Sequence, residues 1–526
     1  MKFSKKLLLI SILVMLVCCV SAVSATDMNS TDDVCDEIVI DEVTDVIEDV
    51  EIDEVDEDLV EEEANPVEDG RINGYTYNYF FHPETGELAT NVDLNFTGNF
   101  YAKDFGNFKV GKDIVINAEN ATFHNIGFDV KVSNVIINGG TYIFNNPSDN
   151  ITSVISSAFS GTVIKDATIN VTAPENRSFY AIDVENIDAQ ILNNTIYYVD
   201  NYDNIGYYNY VVKVKGGANV KMVKNNITAI LPMKTVVYDN LTGIDRDFVG
   251  GVAISSSHDL NFTDNTLDIT ANKRLGGYPT LDAVLIYDSH RAHVENNVIT
   301  VKDPVSQIGQ NSYIYGIDAF ECDYLNVNNN TITMNADKSG GYIGGNGTGA
   351  AYCVQLTGPY TGVVVSNNTL ITKNYGPNAA IYSQNWGGQT SVTIEDNSIT
   401  VTGKGTDQMW DLLTGVELQD DHAVVTGNTI TVNNLGDEFD SGYNVYGISY
   451  CQYSPREHSY IILNNTVTVN GGNYTIYIME GYDCNITGNT LNSNYYDDDE
   501  GEEVIQSGNS TVIIVAGARN YIGPNP

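Results

Sequence analysis

The stretch Val416–Val425, VELQDDHAVV, brings Glu417, Asp420, Asp421 and His422 into one short span. Sugar hydrolysis needs a pair of carboxylates, one as acid and the other as base or nucleophile, and an imidazole beside them titrates near neutral pH. The same three residues, Asp420, Asp421 and His422, stand where a turn would lead into a strand headed by Ala423 and Val425, so they also suit a polar turn with no chemistry. A second acidic group, Asp318, Glu321 and Asp323 in FECDYLNV, is expected about three structural repeats away, too far to share a site with the first. A calcium-dependent lyase would ask for several carboxylates on neighbouring coils together with an arginine base. No arginine stands in such a position.

Other groups offer binding rather than bond-breaking. His258 and His290 occupy equivalent turn positions in adjacent repeats, with His293 close by, which suits either a metal pair or plain surface stacking. The chain has 34 tyrosines, gathered in YDNIGYYNY (Tyr202, Tyr207, Tyr208 and Tyr210), NSYIYGI and SGYNVYGISY. Exposed tyrosine beside Asn and Asp suits stacking on sugars or on protein surfaces; tyrosine also simply favours strands. The acidic run NYYDDDEGEEV, residues 494–504, can hold Ca²⁺ weakly, and no motif points to a cofactor or a dedicated metal site.

What must position these groups is a repeat: VNNNTITMN returns as ILNNTIYY, VENNVITV, VSNNTLIT, IEDNSITV and VTGNTITV. Its copies align on Asn194, Asn225, Asn265, Asn297, Asn330, Asn368, Asn397, Asn428, Asn465 and Asn489, at a mean spacing of about 33 residues. Three residues before and two residues after each asparagine the side chain is aliphatic, aromatic or Met, as at Val327 and Ile332. The frame predicts a strand, a bend at Asn, and a second strand whose alternate residues face inward. By parity Asn330 faces in with Ile332 and Met334, while Asn329 and Thr331 face out. Asn tolerates the left-handed bend conformation, and stacked identical amides can hydrogen-bond as a ladder.

Earlier copies keep the frame with Gly140 or Ala167 at the bend, so the array should cover about residues 75–520. A dozen or so coils at about 4.8 Å each make a rod roughly 60 Å long. Spacing between the aligned asparagines runs from 24 residues (465 to 489) to 40 (225 to 265) on a constant apolar frame, so the surplus should loop outward, where function usually sits. Asn193, Asn329, Asn367 and Asn464 begin Asn-x-Ser/Thr sequons just before ladder positions, facing outward and open to N-glycosylation.

Residues 1–25 carry Lys2, Lys5 and Lys6, an apolar core and small residues Val23 and Ala25 at cleavage spacing, as a secretory signal peptide does. Residues 26–73 form an acidic linker or stalk, with 21 Asp and Glu and no Lys or Arg over 26–69. The folded part is expected over 74–526, with an N-terminal cap at about 74–110. A formal net charge of −44 makes nucleic acid and anionic lipid poor partners. Past the signal no apolar run is long enough to span a bilayer. Five cysteines remain after cleavage, a set too odd and sparse for a disulfide framework; Cys484 shares the parity of Ile486 and is expected inside.

On its signal peptide, acidic stalk and NNTIT repeat, the chain resembles right-handed parallel β-helix proteins of the pectate-lyase-like fold, and within them the secreted adhesin-like proteins of methanogenic archaea. The resemblance implies an all-β solenoid at the cell surface, acting as a monomer that binds glycans or proteins of another cell or of the wall through its loops. Polysaccharide lyases and hydrolases share the fold, and QDD resembles the double-Asp motif of polygalacturonases. The Gly-His-Gly and Arg-x-Lys motifs that accompany it there are missing. Two other readings therefore stand beside the adhesin: an enzyme centred on Asp420 and Asp421, and a structural surface component.

Overall fold

The computed structural model describes residues 70–526 except 176, 186–187, 203–209, 236–248, 276–278, 305–311, 337–349, 375–377, 385–389, 406–411, 436–443, 451–457 and 498–501. The expected signal peptide, most of the acidic segment, Tyr207 and Tyr208 lie outside the described residues. The remainder is a parallel β-helix.

Each coil runs through three strands, one more than the repeat frame predicts. Around Asn330 they are Asn326–Asn328 before the bend, Thr331–Ala336 after it, and Ala350–Thr357. Each pairs in parallel with its counterparts one coil earlier and one coil later, so three sheets run the length of the described solenoid: pre-bend, post-bend and third. Antiparallel pairing occurs where Lys234 and Thr235 meet Thr280 and Pro279, and in the hairpin Thr490–Asp497 with Glu502–Ser507.

In-register pairing stacks like on like. Ile299, Ile332, Leu370, Ile399, Ile430, Val467 and Leu491 form one fully buried column in the post-bend sheet, and each such side chain contributes about 1.5–3 kcal/mol. Beside it the ten ladder asparagines are buried too. Asn194 Nδ2 donates to Asn225 Oδ1 at 3.0 Å, and the step repeats through Asn330 to Asn368 at 3.0 Å and Asn465 to Asn489 at 2.9 Å. Each Nδ2 also donates to a main-chain carbonyl, as Asn330 does to Val294 O at 2.8 Å, so no amide is stranded in the core. The column gains a rung the repeat alignment omits: Asn489 donates to Asn525 Oδ1 at 2.9 Å.

The bend needs correcting. The left-handed residue is the one before the ladder position: φ is positive at Asn193, Asp264, Asn296, Asn329, Asn367, Asp396 and Asn464, and at Gly427 and Gly488, but at none of the ladder asparagines. A ladder residue both receives an amide from the coil before and opens the post-bend strand, for which extended backbone is required.

In the third sheet another column is made of small residues, Gly251, Ala283, Gly316, Cys353, Ala380, Gly415 and Gly447, each between two paired positions and itself skipped by the pairing. A Cβ at Gly316 would lie 2.6 Å from Ile332 Cγ2, because the strand bends there against the post-bend column. The bend puts two consecutive residues inward, as with the buried side chains of Cys353 and Val354, and so resets which residues face out. Among the described residues the first strand is Arg71–Ile72, paired with Asn95 and Phe96, inside the segment assigned to the linker. Phe80 and Phe81 are fully buried over the first coils, with the Phe81 ring 4.5 Å from Phe108.

Candidate functional site

Glu417, Asp420, Asp421 and His422 do not form one site. Asp420 is fully buried at the corner between the third and pre-bend sheets, where its carboxylate accepts from the hydroxyls of Tyr360 and Ser383. Its main-chain carbonyl accepts from His458 Nδ1 at 2.8 Å and Tyr460 Oη at 3.1 Å. Burial raises the Asp420 carboxyl to about 6, against the pull of those hydroxyls. Asp421 is buried as well and exchanges hydrogen bonds with Thr390. Both are therefore buried corner residues that tie coils together. His422 opens the next pre-bend strand, is exposed, and has Nδ1 3.0 Å from Ser459 Oγ.

Glu417 goes elsewhere, to the outer face of the third sheet. Its register row reads Asp318, Gln355, Tyr382, Glu417 and Ser449 on successive coils. A second outer row, across the small-residue bend, carries Tyr315 and Tyr352. Tyrosine rings climb this face: Tyr313 to Tyr315 at 6.5 Å, Tyr315 to Tyr352 at 5.8 Å and Tyr352 to Tyr382 at 4.9 Å, all stacked. Gln419 Nε2 donates to Glu417 Oε1 at 3.2 Å and to Tyr382 Oη at 3.4 Å. Burial lifts the Glu417 carboxyl to about 7, the Gln419 bond opposing it. Lower on the same face Lys213 pairs with Asp183 at 3.3 Å and Glu185 at 3.1 Å and lies 5.2 Å from the Tyr180 ring centroid.

Row spacing decides what chemistry is open to Glu417. Asp318 shares its row but stands three coils away, about 14 Å at the strand spacing. Retaining and inverting glycosidases hold their carboxyls about 5–9.5 Å apart. Within reach of any one glycosidic bond the row therefore offers a single carboxyl beside a phenol and an amide, a composition suited to holding sugar hydroxyls.

The other expected residues are dispersed. Tyr210 is buried against Ala253, Leu285 and Tyr180, which corrects its assignment as an exposed ligand residue. Tyr202 is partly exposed, with its main-chain N–H bonded to Asp200. His258 and His290 stack at 5.1 Å and 7°, and His290 also faces Asp323 at 3.6 Å and Asp288 at 3.8 Å; among the described residues no three His, Cys, Asp or Glu gather as metal ligands. Asn193, Asn329, Asn367 and Asn464 are exposed at the bend. Cys322, Cys353 and Cys484 are buried free thiols. The tyrosine face itself was missed as a site, although its residues appear in the NSYIYGI cluster: with the third strand unrecognised, nothing aligned Tyr315 with Tyr352.

This architecture defines an all-β parallel β-helix solenoid. Neither a family model nor a curated relative matches the chain. Among solved structures it is similar to a PL6 alginate lyase in complex with a trisaccharide, at 11% identity over 87% of this chain and 96% of the other, with a TM-score of 0.32. It is also similar to the A-module of the mannuronan C-5 epimerase AlgE6 of Azotobacter vinelandii (11%, 76% and 90%, TM-score 0.31) and to the catalytic domain of a GH87 α-1,3-glucanase in complex with tetrasaccharides (8%, 83% and 69%, TM-score 0.29). The likeness concerns fold class alone.

Proposed function

We propose that this chain is a secreted, surface-displayed glycan-binding protein whose binding face is the outer side of the third sheet. The observation that carries the reading is the stacked column Tyr313, Tyr315, Tyr352 and Tyr382, bordered by Gln355, Gln419 and Glu417. Phenol rings take the C–H faces of pyranoses, and the amides and carboxyl beside them take hydroxyls. Successive coils repeat at a spacing comparable to one sugar residue, which favours a polymer lying along the solenoid. The adhesin expectation is thus kept as binding, with the contact surface moved from the loops to a sheet face. Display outside the cell rests on the leader-like residues 1–25 and the acidic segment after them.

Turnover is the rival reading, favoured by one observation: the Glu417 carboxyl near 7 beside Tyr382, fit to exchange a proton at neutral pH. A glycan array and pull-downs on insoluble polysaccharides with the purified chain, run beside release assays on alginate and pectin, separate the two. Binding without release is expected, and Tyr352→Ala should weaken it about tenfold. Release of unsaturated or reducing-end products that stops in Glu417→Gln would replace the binding reading with an enzyme. Neither binding nor release would leave a structural component.

A further inference from the structure

The outer row of the pre-bend sheet changes character along the solenoid. It is aliphatic at Val115, Ile136 and Val163, polar from Gln190 through Lys221, Asn261, His293 and Asn326, then becomes Val364, Thr393, Val424 and Ile461 on four successive coils, and turns polar again at Asn485. A solvent-facing sheet surface is expected to stay polar on alternate residues. Ile461 is 40% exposed and Val364, Thr393 and Val424 are partly exposed, so this stretch of three aliphatic side chains and one threonine is open to ligands. It floors an open cavity of about 300 Å³.

One rim of this cavity is the row Ser391, His422 and Ser459, side by side on adjacent coils. Ser391 Oγ accepts the Gly362 N–H at 3.1 Å and keeps its own proton to give. His422 Nδ1 meets Ser459 Oγ at 3.0 Å, which leaves Nε2 for a further bond. No lysine, arginine or carboxylate lines the cavity, although the chain carries a net charge of −44. Among the described residues no Phe, Tyr or Trp lines it either, so flat stacking of a sugar face on a phenyl, phenol or indole ring is not what it is built for.

From this we infer a second carbohydrate site, for a neutral 6-deoxyhexose unit. The volume takes one pyranose. Val424 and Ile461, side by side on the floor next to the His422 and Ser459 rim, favour a ligand with a methyl group and disfavour one with an exocyclic hydroxyl, which would lose its water over them without a partner. The absence of a cationic side chain gives a uronate carboxylate nothing to pair with, while the rim supplies two hydroxyls and an imidazole for ring hydroxyls. The site is on a different sheet from the tyrosine column and does not depend on it.

Isothermal titration and saturation-transfer NMR on the full chain, using methyl α-L-rhamnoside, methyl α-L-fucoside, methyl α-glucoside and galacturonate, test the inference. Saturable millimolar binding is expected for at least one deoxy sugar, at least tenfold weaker binding for the glucoside, and none for galacturonate. Val424→Asp should abolish the deoxy-sugar signal, Ser459→Ala should weaken it severalfold, and Tyr352→Ala should leave it unchanged. Val424 faces outward, and an unchanged melting curve for its variant verifies that the fold persists; should that variant unfold, Thr393→Glu on the same floor takes its place. Equal binding of glucoside and deoxy sugar, binding that survives the aspartate, or no saturable binding at all would overturn the inference. Loss of deoxy-sugar binding in Tyr352→Ala would assign it to the other face.

Discussion

Asn330 shows what one side chain contributes to the column. Its Nδ2 donates to Val294 O and Asn368 Oδ1, and its Oδ1 accepts from both the main-chain N–H and the Nδ2 of Asn297. Asn330→Ala strands these partners in a dry core, and a loss of about 3–5 kcal/mol in denaturant unfolding is expected. At Asn329, where φ is +54°, Asn329→Gly should be near neutral and Asn329→Val should cost about 1–2 kcal/mol. Parity alone told these two neighbours apart, inward against outward. The left-handed residue was also readable, since TGN recurs with Gly427 and Gly488 at the position of Asn329, but the propensity of asparagine for that conformation fits both residues of NNT equally and pointed to the wrong one. Glu417 has a pH signature. Its folded carboxyl sits near 7, above the ordinary 4.5, so between those values the folded chain holds a proton that the unfolded chain has released. Its stabilisation is full below about 4.5 and is lost as pH rises through 7. Glu417→Gln should therefore melt like the parent at pH 4 and be more stable by about 2 kcal/mol at pH 8, after allowance for solvent screening.

Among the elements, the third strand was the one that could not be read. The pre-bend and post-bend strands alternate cleanly, as in Thr429–Asn434, TITVNN, whose inward residues are Ile430, Val432 and Asn434. Tyr313–Phe320, YIYGIDAF, does not alternate, because the bend at Gly316 puts two residues inward in succession and Asp318 is buried although it faces outward. A period-two search fails on such a strand. Gly415 measures how tight the bend is: a Cβ there would come within 2.4 Å of Ile430 Cγ2 and 2.7 Å of Gly447 O. Gly415→Ala should cost about 1–3 kcal/mol in chemical denaturation, and Gly415→Val more, whereas Ala380 one coil earlier already carries a methyl group. If Gly415→Val unfolds at the parent's denaturant concentration, the bend is looser than this packing requires.

At the scale of the molecule, coils touch chiefly their neighbours, so stability is close to a sum over coils and interfaces. Residues 70–526 by themselves carry a net −26, from 48 acids against 22 bases. Like charge along one axis opposes compaction, and the melting temperature should climb as NaCl is raised from about 0.01 to 0.15 M, with most of the gain gone beyond about 0.5 M. A melting temperature that falls with salt would mean that ion pairs such as Arg274 with Asp303 outweigh the repulsion. The rod architecture followed from the repeat, because a constant apolar frame under variable spacing has few other solutions; its binding surfaces did not, because each is assembled across coils from residues some thirty positions apart. The amide column adds a directional term. One N–H of every ladder Nδ2 from Asn194 to Asn489 points to the following coil while the Oδ1 of the next asparagine receives it, so the side-chain carbonyl dipoles add instead of cancelling as strand dipoles largely do. The core thus holds a one-way wire of partial charges, positive toward Asn525 and negative toward Asn194. The two ends of the solenoid are electrically unlike, and an anionic group meeting the end at Asn525 is met by the positive pole of the stack.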